Sequence, residues 1–416
     1  MMGGMSAPLD VVVVGAGAAG LAAAIFAARL KPGLRVTVVD GAAKVGAKIL
    51  VSGGGRCNVT HETVDAADFW GGSPNVVRRI LSAFPVDRTV AFFKEIGVAL
   101  HVEERGKLFP DSNSARAVLD ALLAEARRLG IDLRSAHRIT AVARRDDLFQ
   151  LSSPGGELTA RKTVLATGGL SLPKTGSDGL GYRLASSLGH SIVSTTPGLE
   201  PLLLEGDFHA GLSGIAHPVQ ICVRVDGRKP VLLEGPMLWT HFGVSGPAAL
   251  DASRHWQRAR LDGSVVKVTA NLLPGNDFPA IDAMLLQLAR SQPRTQLRNT
   301  LSTLLPGKVA DAVLVRLKLQ GETTMANLSR EDRRTLVQAL LEWSLPVAGG
   351  RGYNFAEVTA GGVPLAEVDP STLESRRCSG LYFTGEILDV DGRLGGFNFQ
   401  WAWSSAWVVA SALARV

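Results

Sequence analysis

Three glycines in fixed spacing, Gly15-x-Gly17-x-x-Gly20, stand between a run of valines and an alanine-rich stretch, and Asp40 follows about twenty residues later. The chemistry this spacing offers is that of the main chain. Gly15 permits a tight turn, Gly17 lets the backbone approach a pyrophosphate, and Gly20 lets a helix pack close to a sheet. The first N–H groups of that helix, those of Ala18 and Ala19 among them, stabilise phosphate charge. Asp40, with Gly41 beside it, is placed to accept hydrogen bonds from ribose hydroxyls, which selects against a 2′-phosphate there. Because a strand precedes the glycines, a helix follows them and the acid ends the next strand, the fingerprint has its full context. It specifies a dinucleotide, either NAD or FAD.

Three further segments favour FAD. The loop Lys48-Ile-Leu-Val-Ser52-Gly53-Gly54-Gly55-Arg56-Cys57-Asn58 offers exposed amides and two cations close to the nucleotide, suited to lie along a flavin and its pyrophosphate. Ala166-Thr167-Gly168 lets the chain pass close to the dinucleotide after another strand, and Ile139 offers backbone contacts to the adenine. Near the other end, Gly385, Glu386 and Asp389 precede Gly396, Asn398, Phe399 and Gln400, which open the last helix. An acid there can hold a ribityl hydroxyl, and the helix N-terminus can stabilise negative charge on the N1/C2=O edge of a reduced flavin.

Three side chains are candidates for chemistry beyond binding. The Cys57 thiol is a possible acid, or a small buried filler beside the cofactor. His241, in Thr240–Pro247 (THFGVSGP), is a possible proton donor, or a hydrogen-bonded structural histidine. Lys48, with Arg56, can stabilise reduced flavin or phosphate, or be a solvated loop charge. The tryptophans at 401, 403 and 407 read as core packing of the last helix rather than a platform for RNA bases.

These residues need elements to position them. The pattern opens as strand Asp10–Val14, helix Ala18–Leu30 and strand Arg35–Asp40, a βαβ unit with a parallel sheet. The stretch 41–60 reads as a loop. Helices are expected at Pro74–Phe84, Asp87–Ile96 and Ala115–Leu129, the last capped by Ser112 or Ser114, and strands at Ile131–Arg134, Ile139–Arg145 and Lys162–Ala166. After Gly198 short β-like runs (Val219–Val225, Pro230–Leu233, Ser264–Leu272) suggest a small antiparallel sheet or barrel. A helical stretch follows, with caps expected at Ser302 and Ser329. Strand Gly380–Thr384 and helix Phe399–Leu413 close the chain. The expected class is therefore α/β: a dinucleotide domain from residues 1–196 and 350–416, interrupted by a β-rich part (197–275) and a helical part (276–349).

At 416 residues the chain has room for two or three domains, and its 46% hydrophobic and 20% charged residues are those of a soluble globular protein. Its three cysteines, Cys57, Cys222 and Cys378, build neither a disulfide framework nor a metal site, which points to a reducing cytoplasm. Val11–Leu30 carries no charge before Arg29, yet its valines running into glycines suit a strand and turn better than a membrane span. Net charge is +6, compatible with an anionic partner such as RNA, although Lys and Arg are spread along the chain.

The sequence resembles the BaiN-like (YhiN-like) family of NAD(P)/FAD-dependent oxidoreductases nearly end to end. The resemblance rests on the N-terminal fingerprint, Ile49–Asn58, Leu108–Ser112, Ala166–Gly181, Thr240–Pro247, Ala356–Val363 and Leu381–Trp403. It implies FAD bound in a glutathione-reductase-like domain with β-barrel and helical insertions. It also implies reduction by NADH or NADPH and then hydride delivery to an activated C=C bond; no second glycine fingerprint stands in the sequence, so either the nicotinamide visits the flavin transiently or another electron donor serves. Family activities include reduction of unsaturated bile-acid intermediates and dihydrouridine synthesis on ribosomal RNA, so the substrate is an unsaturated small molecule or ribosomal RNA. A redox-sensing flavoprotein with little turnover is the third reading.

Overall fold

The computed structural model describes residues 7–415, which divide into two compact units, one of residues up to Pro197 together with Ala356 onward and the other Gly198–Phe355.

The first unit is built on a parallel sheet in the order Asp132–Arg134, Val36–Val39, Leu9–Val14, Gly156–Leu165 and Leu381–Phe383. The central strand is a run of β-branched residues buried on both faces, as a parallel sheet requires. The long strand Gly156–Leu165 divides its pairing. Its last residues join the parallel sheet, and its first half pairs antiparallel with Leu148–Ser153, which pairs in turn with Ala141–Arg145. Helix Ala18–Leu30 buries Ala19 through Ala27 and packs along the terminal helix Phe397–Ala414, alanines and serines allowing close approach. Trp401 and Trp403 are buried in that packing, and Trp407 stacks on Phe84 and meets Phe26 edge-on.

The second unit carries a seven-stranded antiparallel sheet in the order Trp343–Leu345, Val266–Asn271, Ala216–Val225, Val231–Thr240, Gly243–Ser245, Leu202–Leu204, Val347–Gly350. Its two outermost strands are successive pieces of one segment interrupted at Pro346, so the sheet curls round until its edges meet in the same stretch of chain. Helices Pro247–Leu261, Phe278–Ser291, Gly307–Leu317 and Arg330–Leu341 share a single hydrophobic cluster with these strands. The β-rich and helical insertions thus lie within one unit.

Some local expectations need correction. The stretch 41–60 is not all loop: Ala47–Val51 is a short helix, entered from Gly46 in the left-handed region (φ 72°). Ser302 caps nothing. It ends helix Leu297–Ser302, its hydroxyl donating back to the Arg298 carbonyl, and the next helix starts after Pro306. Ser114 occupies the N-cap position of Ala115–Arg128 but makes no capping bond, whereas the Ser329 hydroxyl accepts from the Asp332 N–H at 3.0 Å. Ile139 lies ahead of its strand, which begins at Ala141. Among the described residues no helix is long and apolar enough to cross a membrane.

Candidate active site

The predicted nucleotide residues converge on the carboxyl ends of the parallel strands. Gly15 has φ +107°, and a Cβ there would sit 2.4 Å from the Ala166 carbonyl oxygen; one on Gly20 would sit 1.9 Å from the Gly15 oxygen. Both glycines are therefore required by the fold itself. Gly17 differs: a Cβ on it would meet nothing within 4 Å, so the protein alone leaves that space open. This is the place at which a pyrophosphate would lie against the helix N-terminus. Asp40 accepts from the N–H of Ala16 and of Ala42, each at 2.7 Å, so each oxygen keeps one lone pair for a ribose hydroxyl. Gly41 lies against Arg138, 3.2 Å from a would-be Cβ, which brings the Ile139 segment alongside; the Ile139 side chain is buried, leaving its backbone for contact.

The glycine loop is a run of left-handed residues, Gly53, Gly54, Gly55 and Cys57 (φ 55°, 68°, 85° and 63°), and its glycines are exposed. Exposed glycine backbone of this kind lets a ligand approach the main chain closely. Arg56 leaves this loop to pair with Glu103 at 2.6 Å and lie over the Phe109 ring. The Ser52 hydroxyl donates to the Ile49 carbonyl.

Lys48 joins a network that sequence reasoning only half found. Its ammonium contacts both Glu386 and the Ser171 hydroxyl. Ser171 donates to the other Glu386 oxygen at 2.8 Å, and the Thr359 N–H donates to that same oxygen at 3.0 Å. The Thr359 hydroxyl accepts from the N–H groups of Leu170 and Ser171. Ser171 and Thr359 were not singled out from the sequence. The available signal was a hydroxyl residue two positions from each of two glycine pairs, Gly168-Gly169 and Gly361-Gly362.

Other candidates take structural roles. Cys57 is fully buried in the hydrophobic core, burial pushing its thiol up to about 12, which fits the reading of a small buried filler. Gln400 is buried with its amide fully engaged. Its oxygen accepts from Thr60 and Thr89, and its nitrogen donates to the Phe84 carbonyl and to Ser404, so it ties helices together rather than offering a group to a cofactor. Asn398 closes the turn ahead of its helix through Gly392 and Arg393, and Phe399 stacks on Trp403. Gly385 (φ +76°) approaches the first helix, a would-be Cβ lying 2.6 Å from that of Ala19; Gly396 (φ +98°) is the N-cap of the terminal helix. Asp389 is half-buried in the segment between them. His241 belongs to the other unit, exposed in the turn after Val231–Thr240 with its ring edge-on to Phe242.

The residues fit FAD on independent grounds. Asn58 Oδ1 and Thr167 Oγ1 are buried without a hydrogen-bond partner in the protein, beside the glycine loop and the Gly168 turn respectively. Two orphaned polar atoms, an open cradle at Gly17 and exposed glycine backbone at Gly53–Gly55 suit a dinucleotide site.

Fold and site together define a flavoprotein of the FAD-binding Rossmann type. The same fold, at 15% identity and a TM-score of 0.52, occurs in *Escherichia coli* quinol fumarate reductase, over 98% of this chain and 70% of that one. It occurs also in 3-ketosteroid delta1-dehydrogenase from Sterolibacterium denitrificans, at 12% identity and a TM-score of 0.51, over 99% and 100% of the two chains. The family model for the HI0933-like protein Rossmann domain matches residues 9–412, and the chain belongs to this family of FAD-dependent oxidoreductases. It is 35% identical over 404 residues to the ribosomal RNA dihydrouridine synthase of Escherichia coli K12, covering 97% of this chain and 98% of that protein. It is 33% identical over 406 residues to the 3-dehydro-bile acid delta(4,6)-reductase of Clostridium scindens, with 97% and 98% covered.

Proposed function

We propose that this protein reduces an electron-poor carbon–carbon double bond, adding a hydride to one carbon and a proton to the other, and that the bond is C5=C6 of a uridine in ribosomal RNA. The observation that carries the reading is full-length similarity to ribosomal RNA dihydrouridine synthases from two organisms, at 35% identity each. FAD, when bound, would supply two-electron hydride chemistry, with NADH or NADPH as the electron source.

The chain's part is to hold and protonate. Gly17 through Ala19, Asp40, the Gly53–Gly55 amides, Thr167 and the N-terminus of the terminal helix hold the cofactor. Lys48, kept in place by Glu386 and Ser171, brings positive charge to its reduced form. Of the two candidate acids, His241 in the Gly198–Phe355 unit has an exposed imidazole that a substrate can reach, whereas the Cys57 thiol is buried.

Mass spectrometry of ribosomal RNA from cells with and without the gene tests the reading. Loss of a dihydrouridine in the deletion strain is expected, and unchanged content overturns it. Consumption of enones by the purified enzyme in that case would assign it to the small-molecule branch represented by the bile-acid relative.

A further inference from the structure

Resting on that reading, we propose that Phe242, Arg351 and Phe355 form a stacking ladder that receives an unpaired base of the RNA strand beside His241. The three side chains touch in sequence. The Arg351 guanidinium carbon lies 3.5 Å from the Phe355 ring centroid and 4.6 Å from that of Phe242, and His241 meets Phe242 edge-on at 5.0 Å. Phe355 is 46% exposed, while Phe242 and Arg351 are half-buried. A single exposed phenylalanine needs no explanation. One whose face lies on a guanidinium already resting on a second ring is a row of planar surfaces open to water at one end.

The arginine is set there by a dedicated anchor. Glu200 is fully buried, and its carboxylate accepts from the backbone N–H of Gly352 and from Gln257, which donates at 2.6 Å. The Arg351 N–H donates to the Pro201 carbonyl at 3.2 Å. Gly350 makes room, since a Cβ there would stand 2.1 Å from a Glu200 oxygen. Burial raises the Glu200 pKa, so this acid is held at a cost, and the backbone it fixes is that which presents Arg351.

The chemistry that matches such a ladder is a flat π system bearing carbonyl oxygens. A base stacks on an aromatic or guanidinium face whatever its identity, and guanidinium N–H groups stay free in their plane to meet a base carbonyl or a phosphate. The chain's basic excess is divided evenly between its two units, so charge alone does not single out this surface. Planarity does.

The test uses FAD-loaded enzyme and a fluorescein-labelled, uridine-containing single-stranded RNA oligonucleotide of ribosomal sequence, with anisotropy read at fixed salt. Phe355→Leu, which keeps the apolar bulk, and Arg351→Lys, which keeps the charge, are each expected to weaken binding about ten-fold. Phe355→Trp is expected to bind at least as tightly as wild type, a result that misfolding cannot produce. Leu and Lys variants that bind within two-fold of wild type overturn the ladder while leaving the RNA reading intact. Wild-type enzyme that neither binds this RNA nor forms dihydrouridine in it overturns both.

Discussion

The two units offer different parts of the chain to a ligand. In the unit that carries the glycine fingerprint, the groups offered to a ligand are mostly amides at positive φ, joined by short polar side chains such as Asp40, Asn58 and Thr167. In Gly198–Phe355 the surface proposed to meet a ligand is made of the faces of long side chains, Phe242, Arg351 and Phe355. A ligand of fixed shape and charge can be met by backbone, whose geometry one substitution disrupts. Relatives that act on RNA and on a bile acid share one cofactor fold, and a surface of side chains is the kind that can differ between them.

The largest effects should separate fold from ligand within the backbone-built site. Gly15→Ala places a Cβ 2.4 Å from the Ala166 oxygen at φ +107°, a cost of order 3 kcal/mol. The apoprotein should melt several degrees lower and purify without FAD. Gly17→Ala meets nothing within 4 Å, so the apoprotein should melt as wild type does, while FAD affinity falls more than ten-fold. Thermal unfolding of apoprotein and FAD titration check both. Equal melting losses would show Gly17 to be structural.

Two acids with different partners give the next contrast. Glu386 is paired with Lys48, so Glu386→Gln leaves that ammonium without its counter-charge, at a cost of about 1–2 kcal/mol after allowing for partial exposure. Glu200 has amide donors only, and Glu200→Gln preserves shape while removing a buried charge. It should be neutral or stabilising at pH 8. The sign follows from linkage: burial raises the folded pKa of Glu200 above 4.5, so wild type loses stability as pH rises from 4.5 through that raised value, and the glutamine variant does not. Unfolding curves at pH 5 and pH 8 decide it; destabilisation at both would show that the carboxylate is needed charged.

Acid should also act unequally on the two units. His255 in the second unit is held neutral by burial, its pKa lowered to about 3, and His217 there is lowered for the same reason. In the first unit His190 is likewise lowered by burial, but Glu367 at 2.9 Å partly opposes the shift. A lowered folded pKa gives stability that is full above 6.5 and lost as pH falls below it. Hydrogen exchange at pH 5 is therefore expected to quicken first in Gly198–Phe355. Glu367, lowered to about 2 mainly by Arg377 and Ser191 against desolvation, adds a loss in the first unit only below 4.5. Earlier opening of the first unit at pH 5 would contradict this order.

The contrast also explains what could be read from sequence. The helix Ala18–Leu30 and the strands around it were legible because periodicity and glycine spacing are local signals. The helix Ala47–Val51 was not, since five residues are too few to show a period. Gln400 and Asn398 sit in a motif that looks like ligand binding, yet their amides hold the helix start and its neighbours, and only the fold shows where an amide is spent. The Lys48–Glu386 contact joins residues more than three hundred positions apart, and Ser171 and Thr359 enter through that pairing alone. The Arg351 ladder has no motif at all. Phe242 lies far in sequence from Arg351 and Phe355, and the antiparallel sheet brings them together.

The smallest expected effect concerns two serines in the same sequence role, one in each unit. Ser114 and Ser329 both precede a helix at its N-cap position. The Ser329 hydroxyl accepts from the Asp332 N–H at 3.0 Å and donates to the Asp332 carboxylate at 2.8 Å, satisfying one of the free N–H groups of the first turn. Ser114 makes no side-chain capping bond, although its backbone is extended as a cap requires. Ser329→Ala should therefore cost about 1 kcal/mol, and Ser114→Ala only a few tenths. Urea denaturation of each variant reads the difference. Equal losses would mean that the Ser114 hydroxyl caps its helix in solution, and that the first unit depends on side-chain caps as much as the second.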